Sequence, residues 1–152
     1  MPKFSDTRRA QHRAEDMFAL VADAERYPEF LPLCEALVIR QKKEREGATL
    51  LIADMTVGYK AIRETFTSQV LLKPAEFAID VAYLDGPFSR LDNRWRFAPA
   101  GEGACDVHFF IDYEFRNKVL GTLMGAMFDR AFHRFSQAFA ERADAIYGGG
   151  PA

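Results

Sequence analysis

The chain has 152 residues, the length of one typical domain, and 49% of them are hydrophobic and 28% charged. The formal net charge of −2 excludes a bulk basic field of the kind that attracts nucleic acid. Two cysteines without CxxC spacing favour a reduced, intracellular setting. The amino terminus lacks the apolar core of a secretory signal, and no apolar run approaches the roughly 20 residues that cross a bilayer.

The first third of the chain predicts one strand followed by two helices. Residues 4–12 form a polar candidate for the first strand. In residues 14–24 the apolar side chains recur at helical spacing and acidic residues occupy the first turn, which predicts a helix. The stretch YPEFLPLC, residues 27–34, then combines two prolines with aromatic and leucine side chains. We expect a second, shorter helix over ERYPEF, residues 25–30, and Pro32 would end it.

Six strands are predicted to follow, beginning with residues 35–44 and a segment that ends at Tyr59. Their apolar and polar residues alternate, which is typical of half-buried antiparallel strands with one face in solvent. Short turns such as DGP separate them at a spacing of roughly 10 to 13 residues, which favours a meander. The inner faces of the last four strands are expected to carry Ile62, Phe66, Val70, Leu72, Phe77, Ile79, Val81, Tyr83, Leu91, Asn93, Trp95, Phe97, Val107, Phe109, Ile111, Tyr113 and Phe115.

From residue 117 to residue 147 the pattern changes to that of a helix. Its apolar side, which includes Met124, Phe128 and Phe132, is wider than the stripe of an ordinary surface helix. A helix of this length crosses a whole sheet, and the two apolar faces must be buried against each other. The predicted fold is therefore α+β: a curved antiparallel sheet wrapped around a long C-terminal helix, with an internal apolar cavity where a ligand binds.

Catalytic motifs are scarce in this sequence. It contains no nucleophile elbow, phosphate loop or HExxH motif, and we predict neither a metal site nor a cofactor. His12, His108 and His133 are expected on polar surfaces, without metal-ligand spacing. Cys34 and Cys105 lie in apolar surroundings and are expected to be small buried hydrophobes.

Four polar residues fall in register with apolar neighbours on the strands. Glu64 and Asn93 are in phase with inward side chains, and Asp54 and Thr56 share a face with Ile52. An inward carboxylate would have a raised pKa and could act as an acid or a base. The alternative is that these residues are satisfied core polar groups, or that a bulge turns them to the other face.

Three quoted segments carry a resemblance to a known family. YPEFLPLCEA, then a sheet, then GPFSRLDNRWRF, and finally FDRAFHRFSQAFAERADAIYG occur in an order that resembles the coenzyme-Q-binding branch of the START-like superfamily, also called the polyketide cyclase/dehydrase family. The resemblance implies a helix-grip fold of the START/Bet v 1 type in one domain over residues 3–147. The tail GGGPA, residues 148–152, is expected to be disordered.

The resemblance also implies where a ligand binds. Residues 27–34 would lie at the mouth of the cavity, where Tyr27, Phe30 and Leu31 either admit a ligand from a membrane or simply cover the open end of the core. The other predicted ligand contacts are Phe66, Phe77, Trp95, Phe109, Ile111, Met124, Phe128, Phe132 and Phe135.

Family members bind ubiquinone or a lipid precursor of it in support of respiration, or act as a ribosome-association toxin on the large subunit. We expect the first role here, as a non-enzymatic carrier of a hydrophobic isoprenoid such as coenzyme Q, because apolar burial alone can hold a few isoprenoid units. The expected location is cytoplasmic, or peripheral at the inner membrane.

Two other roles stay open. Ribosome binding would use cations at the turn around Arg40, Lys42, Lys43 and Arg45, or Arg90, Arg94 and Arg96 on one strand face. The same cations could meet anionic lipid headgroups in a transient contact with a membrane surface. A cyclase or aromatase would need acid–base groups in the cavity, for which Glu64 is the candidate.

Overall fold

The computed structural model describes residues 3–59 and 61–147, and they form seven strands, two α-helices and two 3₁₀ helices. The strands are β1 Lys3–Ala10, β2 Cys34–Arg45, β3 Ala48–Tyr59, β4 Ile62–Lys73, β5 Ala78–Asp85, β6 Phe88–Pro99 and β7 Cys105–Phe115. The helices are α1 Ala14–Ala22, the 3₁₀ helix Ala24–Glu29, the 3₁₀ helix Pro74–Glu76, and α2 Lys118–Tyr147. The predicted order of elements is confirmed, and the tail expected to be disordered lies outside the described residues.

The strands form one antiparallel sheet with the order β1-β7-β6-β5-β4-β3-β2. From β2 onward each strand pairs with the next along the chain, as the short turns predicted. Because β1 pairs with β7, α1 and the 3₁₀ helix Ala24–Glu29 carry the chain from one edge of the sheet to the other. Register shifts in the β2–β3, β4–β5 and β6–β7 pairs bend the strands, which favours a curved sheet.

Helix α2 fills the concave side of this sheet. It begins after Asn117, whose side-chain oxygen accepts a hydrogen bond from the amide of Val119 at 2.7 Å and caps the first turn. Thirty residues give it a length of about 45 Å. Met124 and Phe128 are fully buried on its apolar side, which packs against β7 and β1. This is the predicted helix-grip arrangement, a curved sheet around a long C-terminal helix.

The loop after β1 differs from the prediction in the position of His12. β1 ends at Ala10 and the predicted strand does not reach His12. His12 is buried instead of lying on a polar surface, and its Nε2 is 2.7 Å from a carboxylate oxygen of Asp144 near the end of α2. The surface assignment was wrong because residues 11–13 turn beneath the last turns of α2, a contact between positions far apart in the chain.

The faces of β3 also differ from the expectation. Ala53 and Val57 are buried on the inner face, so Asp54 and Thr56 lie on the outer face. Asp54 accepts a hydrogen bond there from the hydroxyl of Thr67 at 2.6 Å. The inward assignment failed because residues 50–53, Leu-Leu-Ile-Ala, are apolar on both faces and do not reveal which face is buried.

Candidate functional site

A cavity of about 110 Å³ lies between α2 and the inner face of the sheet. Four aromatic rings of α2 line it from one side, with the centroids of Phe128 and Phe132 5.8 Å apart and those of Phe132 and Phe135 5.2 Å apart. These rings recur every three or four residues because the helix repeats every 3.6 residues. The fourth ring belongs to Phe139, and its centroid lies 5.0 Å from that of Trp95 on β6. This contact closes one end of the row of phenylalanine rings.

The sheet supplies the opposite wall through side chains that alternate along β3 to β7. The lining residues from these strands are Ala53, Met55, Val57, Phe66, Ser68, Val70, Ile79, Val81, Leu91, Asn93, Trp95 and Ile111. Nine of the twelve side chains are wholly apolar, since Ser68, Asn93 and the indole N–H of Trp95 supply the polar groups of this set. The cavity is therefore suited to an apolar ligand with few polar groups.

Ser68 is the most informative polar residue of the lining. It is buried on β4 between Phe66 and Val70, and its hydroxyl has no hydrogen-bond partner among the described residues. Leaving a buried hydroxyl unpaired costs about 1–3 kcal/mol. An unpaired donor in an apolar wall is therefore a place where a ligand oxygen could bind.

Two other polar groups of the lining are already engaged. Asn93 donates from Nδ2 to the carbonyl oxygen of Phe110 at 2.9 Å. The hydroxyl of Tyr27 donates to the carbonyl oxygen of Val21, and burial raises the pKa of Tyr27 far above its ordinary value, so the phenol stays neutral. The Asn93 amide group and the Tyr27 phenol are thus held in place by the protein itself.

The loop between the 3₁₀ helix Ala24–Glu29 and β2 covers one side of the cavity, with Leu31, Pro32 and Leu33 in the lining. Leu33 has a φ of 66°, a left-handed conformation that is rare for a leucine. Its carbonyl oxygen accepts a hydrogen bond from the amide of Gly58 at 3.0 Å, which ties the loop to β3. The loop thus presents its apolar side chains inward at the expense of local backbone strain.

Arg142 of α2 contacts the end of the 3₁₀ helix Ala24–Glu29 and the residue that follows it. The Arg142 guanidinium contacts the carboxylate of Glu29 and lies 5.1 Å from the ring of Phe30. Hydrogen bonds from Arg26 and Arg142 lower the pKa of Glu29 below its ordinary value. Phe30 also packs edge-on against Phe139 at 5.1 Å, so it seals the outside of the cavity without lining it.

Eight of the twelve side chains predicted to contact a ligand line the cavity: Tyr27, Leu31, Phe66, Trp95, Ile111, Phe128, Phe132 and Phe135. Phe30, Phe77, Phe109 and Met124 do not. Phe77 precedes β5 with a φ of 49°, which breaks the alternation that placed it inward. Phe109 and Met124 are buried in the solid part of the core. Ligand contact itself stays a prediction for all twelve.

The lining contains further residues that the sequence did not single out. Ala24, Leu37, Ala131 and Phe139 are examples, together with Ser68. The signal for Ser68 was its register, since it lies two positions from both Phe66 and Val70. Phe139 falls on the apolar side of the last helix, but periodicity does not distinguish the part of that side that borders the cavity from the rest.

The candidate acid–base residue lies elsewhere. Glu64 is half-buried on β4 opposite Val57 and is not part of the lining. Within residues 3–59 and 61–147, no group of three or more His, Cys, Asp or Glu side chains is arranged to hold a metal ion. Cys34 and Cys105 are buried free thiols, and burial raises the pKa of each to about 11.

The cations on the sheet fall into two groups. Arg90 pairs with Asp112 and Glu114, while Arg94 and Arg96 pair with Asp92 and Asp80. In the described structure, by contrast, Lys42, Lys43 and Arg45 are exposed on the β2–β3 hairpin without an ion-pair partner. The strand face is therefore a neutralised network, and the hairpin is the more available basic surface.

Among the described residues, no helix is long and apolar enough to cross a membrane.

The comparison with known families decides the class of this fold. A family described as polyketide cyclase/dehydrase and lipid transport matches residues 10–140. The chain belongs to this family. A START superfamily protein from Mycobacterium smegmatis has the same fold, with a TM-score of 0.78 at 20% identity, covering 95% of this chain and 98% of that one.

Among named relatives, the ribosome association toxin RatA of Vibrio cholerae is 36% identical over 135 residues, covering 89% of this chain and 90% of the relative. The mitochondrial coenzyme Q-binding protein COQ10 homolog B of Xenopus laevis is 27% identical over 150 residues, covering 96% of this chain and 59% of the relative. The solution structure of the 18 kDa protein CC1736 from Caulobacter crescentus superposes with a TM-score of 0.79 at 31% identity, covering 97% of this chain and 99% of that one.

Proposed function

We propose that this protein binds a water-insoluble molecule with a quinone-like ring and an isoprenoid tail, without catalysing a reaction on it. The observation that carries the proposal is the buried hydroxyl of Ser68, which has no hydrogen-bond partner within residues 3–59 and 61–147. It lies in a cavity whose other walls are almost wholly apolar. A ring carbonyl would accept this hydrogen bond and relieve the cost of the unpaired donor. A family relative that is named as a coenzyme Q-binding protein supports a quinone as the ring.

The size of the cavity limits how much of such a molecule it encloses. An engineered cavity of about 150 Å³ holds one benzene, so 110 Å³ accommodates a ring or one isoprenoid unit. The rest of the tail would extend out of the cavity past Leu31 and Leu33, or α2 would move away from the sheet to enlarge the cavity. Each covered isoprenoid unit contributes on the order of 3–4 kcal/mol, against an association cost of roughly 4–15 kcal/mol. Several units must therefore contact the protein for tight binding.

The non-enzymatic part of the proposal follows from the chemistry of the lining. Its polar groups are Ser68, Asn93, the phenol of Tyr27 and the indole N–H of Trp95, and none is ionised at neutral pH. Glu64, the candidate acid or base, lies outside the lining. A cyclase would need a proton donor or acceptor within hydrogen-bond reach of its substrate.

Trp95 provides the assay, because it is the single tryptophan of the chain and lines the cavity. Short-chain ubiquinones with one to three isoprenoid units would be titrated into the protein, and saturable quenching of tryptophan fluorescence is expected. Ser68→Ala should weaken binding roughly two- to tenfold, the value of one hydrogen bond. Ser89→Ala is the matched control, since Ser89 is exposed on the outer face of β6. Folded protein that shows no saturable quenching would refute the proposal.

Ribosome association is the second candidate, and a specific observation favours it. The relative at 36% identity over 89% of this chain is named a ribosome association toxin. Lys42, Lys43 and Arg45 offer exposed, unpaired charge for phosphate contacts within the described structure. If this role applies, the protein co-sediments with large ribosomal subunits, and Lys42→Glu/Lys43→Glu releases it. Co-sedimentation without any quinone binding would place this function first.

A further inference from the structure

Charge is unevenly distributed along this chain. The whole chain carries a net charge of −2, but residues 116–134 contain four arginine or lysine side chains and one aspartate, a net charge of +3. The remaining residues therefore carry −5. The one carboxylate in the segment, Asp129, lies 3.6 Å from the ring of His133. A local cationic surface thus exists on a chain that is acidic elsewhere.

The cations lie beside exposed apolar side chains on the outer face of α2. Val119 and Leu123 are 67% and 57% exposed, one helical turn apart. At about 100° per residue, these two residues fall with Ala126, Arg130 and Arg134 in a sector of about 80°. We call these five residues the outer stripe. All five are exposed, and the sector lies opposite the phenylalanines that line the cavity.

Among the described residues, the fold gives the outer stripe no partner. Val119 and Leu123 are among the most exposed large hydrophobic side chains of the described structure. Within residues 3–59 and 61–147, neither Arg130 nor Arg134 has a carboxylate within ion-pair distance, whereas Arg90, Arg94 and Arg96 on the sheet are all paired. The stripe thus combines unpaired positive charge with uncovered apolar surface.

We propose that the outer stripe docks the protein on an anionic lipid bilayer. Val119 and Leu123 enter the headgroup layer, and Arg130 and Arg134 contact lipid phosphates, as in interfacial helices with basic and apolar residues. The stripe covers about 22 Å of α2, from Val119 to Arg134. Glu141 and Asp144 continue the same sector in the last turns, so the first half of α2 contacts the bilayer and its last turns tilt away from the anionic surface. The opposite side of α2 keeps its contacts with the cavity and the sheet, so docking requires no unfolding.

The composition of the stripe favours a bilayer over RNA. Two aliphatic side chains gain nothing from a phosphate backbone, whereas the acyl boundary of a bilayer accepts them. Docking is also independent of the proposed ligand, because the stripe and the cavity are on opposite sides of α2. The two proposals therefore fail separately.

The test is co-sedimentation of the full chain with vesicles. Vesicles with 30% phosphatidylglycerol in phosphatidylcholine are compared with pure phosphatidylcholine, at low and at high salt. We expect binding to the anionic vesicles that weakens with salt, and a roughly fivefold loss for each cation removed in Arg130→Gln and Arg134→Gln. Val119→Ser/Leu123→Ser should reduce binding further without changing the circular dichroism spectrum.

Matched controls lie elsewhere on the surface. Leu84→Ser removes another exposed leucine, 51% accessible on β5, and Lys42→Gln/Lys43→Gln removes two unpaired lysines. Both should bind vesicles like the unaltered protein. The proposal is overturned if anionic vesicles do not bind the protein at low salt, or if the controls lose as much binding as the stripe variants. It is also overturned if the stripe variants no longer co-sediment with ribosomal subunits but still bind vesicles.

Discussion

Replacing Ala131 by leucine would place three additional carbon atoms in the cavity. Ala131 is buried on α2 and belongs to the lining. Leucine has a helix propensity close to that of alanine, so the backbone of α2 is expected to be retained. The variant tests ligand binding without removing any contact that stabilises the fold, whereas a charged residue in place of Phe128 or Phe135 would remove such contacts.

The structure sets the size of the expected effect on stability. A cavity costs about 24 cal/mol for each Å³, so a volume of 110 Å³ corresponds to about 2.6 kcal/mol. This is the upper limit of what filling can recover, and overpacking opposes it by about 1–3 kcal/mol. We expect the free energy of unfolding of Ala131→Leu to change by about zero to 2 kcal/mol in favour of the folded state.

Two measurements check this prediction. Urea unfolding gives the free energy of unfolding, and quenching of Trp95 fluorescence gives quinone affinity, which should fall at least tenfold. Ala126→Leu makes the same chemical change on the exposed side of the same helix and should leave affinity unchanged. If Ala131→Leu unfolds cooperatively at normal stability and still binds quinone with full affinity, the ligand does not occupy this cavity and the reasoning is refuted.

Two further predictions concern pH and thiol chemistry. The folded state lowers the pKa of Glu29, so its contact with Arg142 stabilises the folded protein fully above the ordinary pKa of 4.5 and is lost as the pH falls through the lowered pKa. Arg142→Met should therefore make the melting temperature fall less steeply across this acidic range. An unchanged pH profile would argue against the contact. Since the pKa values of Cys34 and Cys105 are raised to about 11, only about a thousandth of either thiol is ionised at pH 8. Neither should react with Ellman's reagent at pH 8 until the protein unfolds, and rapid labelling of native protein would contradict their burial.

Local sequence patterns were enough to predict the architecture. Alternation placed Leu91, Trp95 and Ile111 on the inner face because polar residues separate the apolar ones, and the structure confirms these faces. The change of period at residue 117 predicted α2, whose broad aromatic side must be buried and packs largely against the sheet. These assignments depend on the period of two in strands and of 3.6 in helices, which the chain carries within a few residues.

Long-range packing determined the remaining features of the site. The faces of β3 are ambiguous in a run of apolar residues, and the contact of His12 with Asp144 joins the two ends of the chain. The distance between the helix and a bent sheet determines which part of the aromatic side of α2 borders the cavity. It also determines that Ser68 meets no hydrogen-bond partner in the described part of the chain. Periodicity indicates which face a side chain occupies, but distances between elements follow from the bulges, loops and side-chain volumes of the whole chain acting together.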